Sequence, residues 1–144
     1  MRARHLLALV ATLTALGFAR PADARVDLGL GADWIRGGTG EFNLTLGVDT
    51  WLARRVTVGG RFGAAFFGGS GNMGVPLDAR LRFHMQRVYF EGMVGPWFIF
   101  DSGDLFRFHG AFGFGLESRN VEFGMELGVL GDSTMLGLRL VFPI

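Results

Sequence analysis

Charged side chains recur on every second position of several short stretches of this chain. Asp78, Arg80, Arg82 and His84 alternate with Ala79, Leu81 and Phe83, and Glu122 and Glu126 alternate with Phe123, Met125 and Leu127. Asp27, Asp33, Asp49, Arg61, Glu91, Arg107, Glu117 and Arg139 sit singly among uncharged neighbours, most of them apolar or glycine. Carboxylates and guanidinium groups gathered in a confined space pair bidentately, and any carboxylate left over attracts a proton or a small cation. Asp101-Ser102 places a hydroxyl beside a carboxylate, with His84 and His109 as bases elsewhere. A base acts only within hydrogen-bond reach of its nucleophile. Asp101-Ser102-Gly103-Asp104 is also composed of turn-forming residues, and an ordinary turn is the preferred reading. There is no cysteine, which excludes thiolate metal sites, disulfides and a lipid-modified cysteine. Two histidines and scattered carboxylates show no ligand spacing, so no metal and no cofactor are expected. Gly113-Phe114-Gly115 is a pair of strand glycines and not a phosphate loop, because no helix follows it.

The elements that must carry these groups are strands, since strict alternation is the period of a half-buried strand. About eight segments follow residue 24, over roughly 26–35, 41–52, 56–67, 75–85, 88–100, 105–117, 121–130 and 135–142. One face carries Val26, Leu28, Leu30, Phe42, Leu44, Val58, Phe62, Leu77, Leu81, Phe106, Phe112, Phe123, Leu136 and their like. The other carries glycine and charge. Pro96 blurs the alternation of the fifth segment, and a proline in a strand predicts a bulge. Gln86-Arg87 is expected to close a two-residue hairpin, which places Arg82 opposite Glu91. Asp132-Ser133 closing the last hairpin would place Glu126 opposite Arg139. Opposite charges so placed stabilise by roughly 0.2–1 kcal/mol each.

Residues 1–24 read as an export signal. Arg2, Arg4 and His5 form a basic start, Leu6–Phe18 an apolar run, and Ala22-Asp23-Ala24 a cleavage site. The run is too short to span a bilayer as a helix. Residues 25–144 then form one domain. Arg2, Arg4, Arg20 and Asp23 leave with the signal, and eleven arginines remain against twelve acids, so there is no basic footprint for nucleic acid. No lysine is present, and arginine alone supplies the permanent cations.

A soluble barrel would hide the apolar face, and a membrane barrel would show it to lipid. The glycine-rich, mixed-charge face suits a narrow interior, and the nearly unbroken Phe-rich face suits a lipid-facing band. Hydrocarbon tolerates no unpaired strand edge, so the sheet must close. The fold expected is an all-β, closed, antiparallel, up-and-down transmembrane barrel of eight strands with both ends on one side. In this pattern the chain resembles the small outer-membrane barrels of OmpA/OmpX type. Gly137, Leu140 and Phe142 are similar to the C-terminal assembly signal of such proteins, with Pro143-Ile144 following the aromatic residue. The resemblance implies a bacterial outer-membrane location, outer-membrane lipid and the barrel assembly machinery as partners, envelope proteins as further candidates, and a monomer. The turns at 53–55, 86–87 and 118–120 would then be periplasmic.

An eight-stranded barrel is just wide enough for side chains to fill. The interior charge network expected comprises Asp49, Arg61, Asp78, Arg80, Arg82, Glu91, Arg107, Glu117, Glu122, Glu126 and Arg139. The preferred reading is a polar, salt-bridge-filled core in a protein with a structural or envelope role and no enzyme activity. The alternatives are a narrow, weakly cation-selective, porin-like pore, a lipid A-modifying barrel enzyme, and a soluble periplasmic binding barrel. Some barrels of this resemblance modify lipid A with His, Ser and a carboxylate. Here Asp101-Ser102 lacks a partner histidine, and His109 lacks a His-x-Ser neighbour.

Overall fold

A computed structural model describes residues 24–100 and 102–144. The expected leader through residue 23, and Asp101 of the Asp-Ser pair, lie outside the described residues. The strands are β1 (Arg25–Ile35), β2 (Thr39–Ala53), β3 (Val56–Phe67), β4 (Met73–Met85), β5 (Val88–Ile99), β6 (Phe106–Glu117), β7 (Glu122–Leu130) and β8 (Ser133–Pro143). Each pairs antiparallel with its sequence neighbour, and β1 pairs with β8, from Asp27↔Pro143 to Ile35↔Met135, to close the barrel. Closure leaves no strand edge, as a backbone in hydrocarbon requires.

Alternation decides the two surfaces. Phe42, Phe62, Leu77, Leu81, Phe112, Leu127, Leu138 and their neighbours project outward around the whole barrel. Soluble monomers rarely expose contiguous apolar patches above a few hundred Å². A belt that encircles the molecule is instead the surface a bilayer covers. Glycine on the inward face makes room where strands and large side chains crowd. A Cβ on Gly115 would stand 2.7 Å from the Tyr89 ring, and one on Gly124 would overlap the Tyr89 hydroxyl. The ring therefore lies over the glycines of two neighbouring strands.

The hairpin at Gln86-Arg87 closes as expected, with Met85↔Val88 at its mouth and Arg82↔Glu91 directly opposite. Gln86 takes a positive φ of 57° there, a conformation that costs a side-chain-bearing residue. Two register expectations are corrected. The last hairpin turns on Gly131-Asp132, with Leu130↔Ser133 paired, so Glu126 faces Gly137 and Arg139 faces Gly124. Gly131 carries a φ of 60° and supplies the positive φ that tight hairpin turns demand. Pro96 causes no bulge. Its register runs unbroken against β6 at Pro96↔Phe108 and is unchanged against β4 on either side, from Pro76↔Trp97 to Ala79↔Val94. The missing N–H is absorbed by a local gap in the β4–β5 ladder. The irregularity lies instead between Trp51 and Ala53, at the approach to the β2–β3 turn.

Candidate functional site

The lumen is layered. At the end bearing the glycine-rich loops, Ile35, Phe67, Trp97, Ile99, Leu130 and Met135 are buried together inside the barrel. This apolar lid departs from the expectation of a polar interior throughout. Its members continue the inward parity of their strands: Ile35 follows Asp33, Ile99 follows Trp97, and Met135 precedes Gly137 and Arg139. That parity was the available signal.

Beneath the lid one connected network draws a side chain from each of the eight strands. Asn43 of β2 donates to Asp33 of β1 at 2.8 Å. Asp33 is held by two nitrogens of Arg139 of β8, at 2.8 and 2.9 Å. Arg139 Nε lies 2.9 Å from Glu126 of β7. Glu126 also faces His109 Nε2 of β6 at 3.2 Å and accepts from Arg61 of β3 at 3.0 Å. Arg61 donates to Asp78 of β4 at 2.8 Å. Asp78 meets His109 Nδ1 at 2.7 Å and accepts from Trp97 Nε1 of β5 at 3.1 Å. Glu41, beside this layer, accepts from Asn43 at 3.0 Å.

Two smaller clusters lie toward the other end. Arg80 bridges Asp49, at 2.5 and 3.1 Å, and Asp27 at 2.6 Å. Arg82 bridges Glu91, at 2.9 and 3.0 Å, and Glu122 at 2.7 Å, with its guanidinium 4.2 Å above the Tyr89 ring. Arg25 pairs with Glu122 from the barrel mouth and approaches Glu117 at 3.8 Å. His84 joins Glu117 at 2.6 Å and Thr57 at 3.0 Å, and the Trp51 ring packs against its imidazole tilted at 44°, at a centroid distance of 5.0 Å.

The arrangement follows one rule. Each of the arginines 61, 80, 82 and 139 holds two carboxylates from different strands. A guanidinium has five donors in a rigid fork and serves two acceptors at once, which a lysine ammonium does less well. Paired and hydrogen-bonded, such charges tolerate burial.

Of the residues expected in the network, Asp49, Arg61, Asp78, Arg80, Arg82, Glu91, Glu122, Glu126 and Arg139 lie buried inside the barrel. Glu117 sits half-buried at the mouth opposite the lid. Arg107 stands apart, half-buried at the mouth on the side of the lid, beside Asp104, Gly131 and Ser133. Glu126 and Arg139 do pair, but diagonally and not across one rung. Gly137 faces inward against Asp33, whereas Leu140 and Phe142 face outward. The sequence reasoning passed over Asn43, Thr57 and Trp97 as network members, and over His109 as the link between Asp78 and Glu126. The Ser102 hydroxyl is occupied by two backbone carbonyls, donating to Asp104 at 2.6 Å and lying 3.2 Å from Ile99. No group of three or more His, Asp or Glu able to hold a metal occurs among the described residues.

Solved structures share this architecture. The outer membrane enzyme PagL matches at a TM-score of 0.71 and 16% identity, over 82% of this chain and 99% of that one. A de novo designed transmembrane β-barrel matches at 0.66 and 8% identity, over 83% and 95%. Ail, the attachment invasion locus protein of Yersinia pestis, matches at 0.57 and 13% identity, over 86% and 98%. Neither a protein-family profile nor a curated protein sequence matches the chain. At these identities the likeness is one of fold: a closed eight-stranded transmembrane β-barrel.

Proposed function

We propose that the protein is an integral barrel of the bacterial outer membrane whose interior is a structural core, serving the envelope as a lipid-embedded scaffold and neither conducting solutes nor catalysing a reaction. The observation that carries this reading is the network with a member from each of the eight strands, roofed by an apolar lid. A conduit needs mobile ions to displace one another along the lumen. Here the carboxylates are already engaged by arginines or by Asn43, and Arg61 reaches across the lumen to Glu126. In this reading the leader is removed after Ala24, and the barrel works as a monomer with lipid and envelope proteins around it. The assembly machinery reads Gly137, Leu140 and Phe142. PagL is an enzyme and Ail is an attachment invasion protein, so the fold accommodates either kind of role. In this chain the occupied Ser102 hydroxyl and the sealed position of His109 favour the non-enzymatic one.

Expression with envelope fractionation, heat-modifiable gel migration and planar-bilayer recording tests the proposal together. The expected result is an outer-membrane band that shifts on boiling, no resolved single-channel openings, and unaltered lipid A acylation in the host. Stable selective openings would replace the scaffold with a pore, and a changed lipid A profile would replace it with an enzyme.

A further inference from the structure

The end of the barrel opposite the apolar lid carries a ring of arginines that the lumen does not use. The β2–β3 turn holds Arg54 and Arg55, the β4–β5 turn Arg87, and the β6–β7 turn Arg119, all exposed. None of the four makes an ion pair among the described residues, whereas each buried arginine makes two. Residues 53–55, 86–87 and 118–121 include no Asp or Glu. The loops of the opposite rim instead hold Asp104 and Asp132 with Arg36.

Each of these turns also begins from an outward apolar side chain at the edge of the belt. Leu52 precedes Arg54, Met85 precedes Arg87, and Leu116 precedes Arg119, and all three are exposed. A cation two or three residues from the last lipid-facing side chain stands at headgroup height. The β4–β5 and β6–β7 turns are tied together by the Glu117 amide donating to the Arg87 carbonyl at 2.7 Å. Between them lies an open recess of about 1050 Å³ lined by Arg87, Arg119, Ser118, Asn120 and Leu116. Glu117 also lines it, but its carboxylate is taken by His84 and Arg25.

We propose that this rim is a docking surface for anionic phospholipid: the arginines of the three turns take phosphodiester headgroups, and Leu52, Met85 and Leu116 lie along the first methylenes. A guanidinium fork matches two phosphate oxygens, and a headgroup without an ammonium leaves the charge for the arginines alone. Basic side chains next to a membrane-embedded segment select anionic lipid in this way. The proposal rests on the membrane reading above, and it adds lipid selectivity on one rim.

The test is native mass spectrometry of the folded barrel in micelles containing equal phosphatidylglycerol and phosphatidylethanolamine. Three versions are compared: the parent, the quadruple Arg54→Gln, Arg55→Gln, Arg87→Gln, Arg119→Gln variant, and Arg36→Gln at the other rim. Heat-modifiable migration checks that each is folded. The parent and the Arg36→Gln variant should retain phosphatidylglycerol preferentially, and the quadruple variant should lose that preference by on the order of tenfold or more. Equal retention of both lipids by the folded parent, or an unchanged preference in the quadruple variant, overturns the proposal alone. Binding of the folded parent to isolated cell-wall sacculi without any lipid preference overturns it in favour of a wall polymer. A chain that stays in the aqueous phase with no heat-modifiable band overturns the membrane reading, and the lipid surface with it.

Discussion

Arg61 on β3 and Glu126 on β7 meet across the full width of the lumen, with Nη1 and Oε2 3.0 Å apart. The two strands are four apart in either direction around a barrel of eight, so the pair is diametric. Glu126 receives Arg139 and His109 as well, which makes it the anchor of the network. Replacing it with Gln leaves Arg61 and Arg139 buried without their shared counter-charge. Removing one partner of a buried pair costs about 3–5 kcal/mol. Glu126→Gln should therefore lower the urea midpoint of the refolded barrel substantially, while Arg107→Gln at the mouth beside the lid should change stability by no more than about 0.5 kcal/mol. Equal effects of the two would refute the division between core and mouth.

Tyr89 owes its position to absent side chains. Its ring sits over Gly115 and Gly124 and under the Arg82 guanidinium. Gly124→Ala should destabilise by about 1–3 kcal/mol through overpacking. In a Tyr89→Leu background the same change should cost less, with a coupling of at least about 0.5 kcal/mol in a double-mutant cycle. Strict additivity would mean that the ring does not fill that space.

The β4–β5 turn holds a strained residue. Gln86 adopts a φ of 57° without being glycine, asparagine or aspartate. Glycine takes that conformation freely, although it gives up more chain entropy on folding. Gln86→Gly should stabilise the barrel by about 0.5–1 kcal/mol in equilibrium urea unfolding, and Gln86→Val should weaken it.

The outward face makes a depth-dependent prediction. Phe112 lies mid-strand on β6 between Gly92 and Leu127, whereas Met73 begins β4 at the belt's edge. Phe112→Arg should reduce folding stability in vesicles by about 2–4 kcal/mol, and Met73→Arg by about 0–1 kcal/mol. In a water-soluble barrel both changes would be close to neutral, so equal and small effects would count against the bilayer.

Much of this arrangement is legible in the residue order alone. The inward placement of Asp78, Arg80 and Arg82 followed from alternation, and the Arg82–Glu91 rung followed from the length of one turn. The Glu126–Arg139 rung was misplaced because the last turn sits on Gly131-Asp132 and not on Asp132-Ser133. That difference slides β8 by two residues against β7. A slide of two returns every side chain to the same face, so alternation cannot detect it. The lid was missed for a related reason: Ile35, Phe67 and Ile99 are apolar residues on a face otherwise marked by polarity, and only their parity gave them away.

Residue order by itself determined which side chains face the lumen and how many strands enclose it, because a strand's two-residue period is a property of the local backbone. The tertiary structure alone decided which charge meets which. Asp33 and Arg139 are separated by 106 positions and Arg61 and Glu126 by 65, yet they share one layer of the lumen. Those meetings depend on the stagger of every ladder around the closed sheet. That quantity is written in no single segment of the chain, and it exists only once β1 has paired with β8.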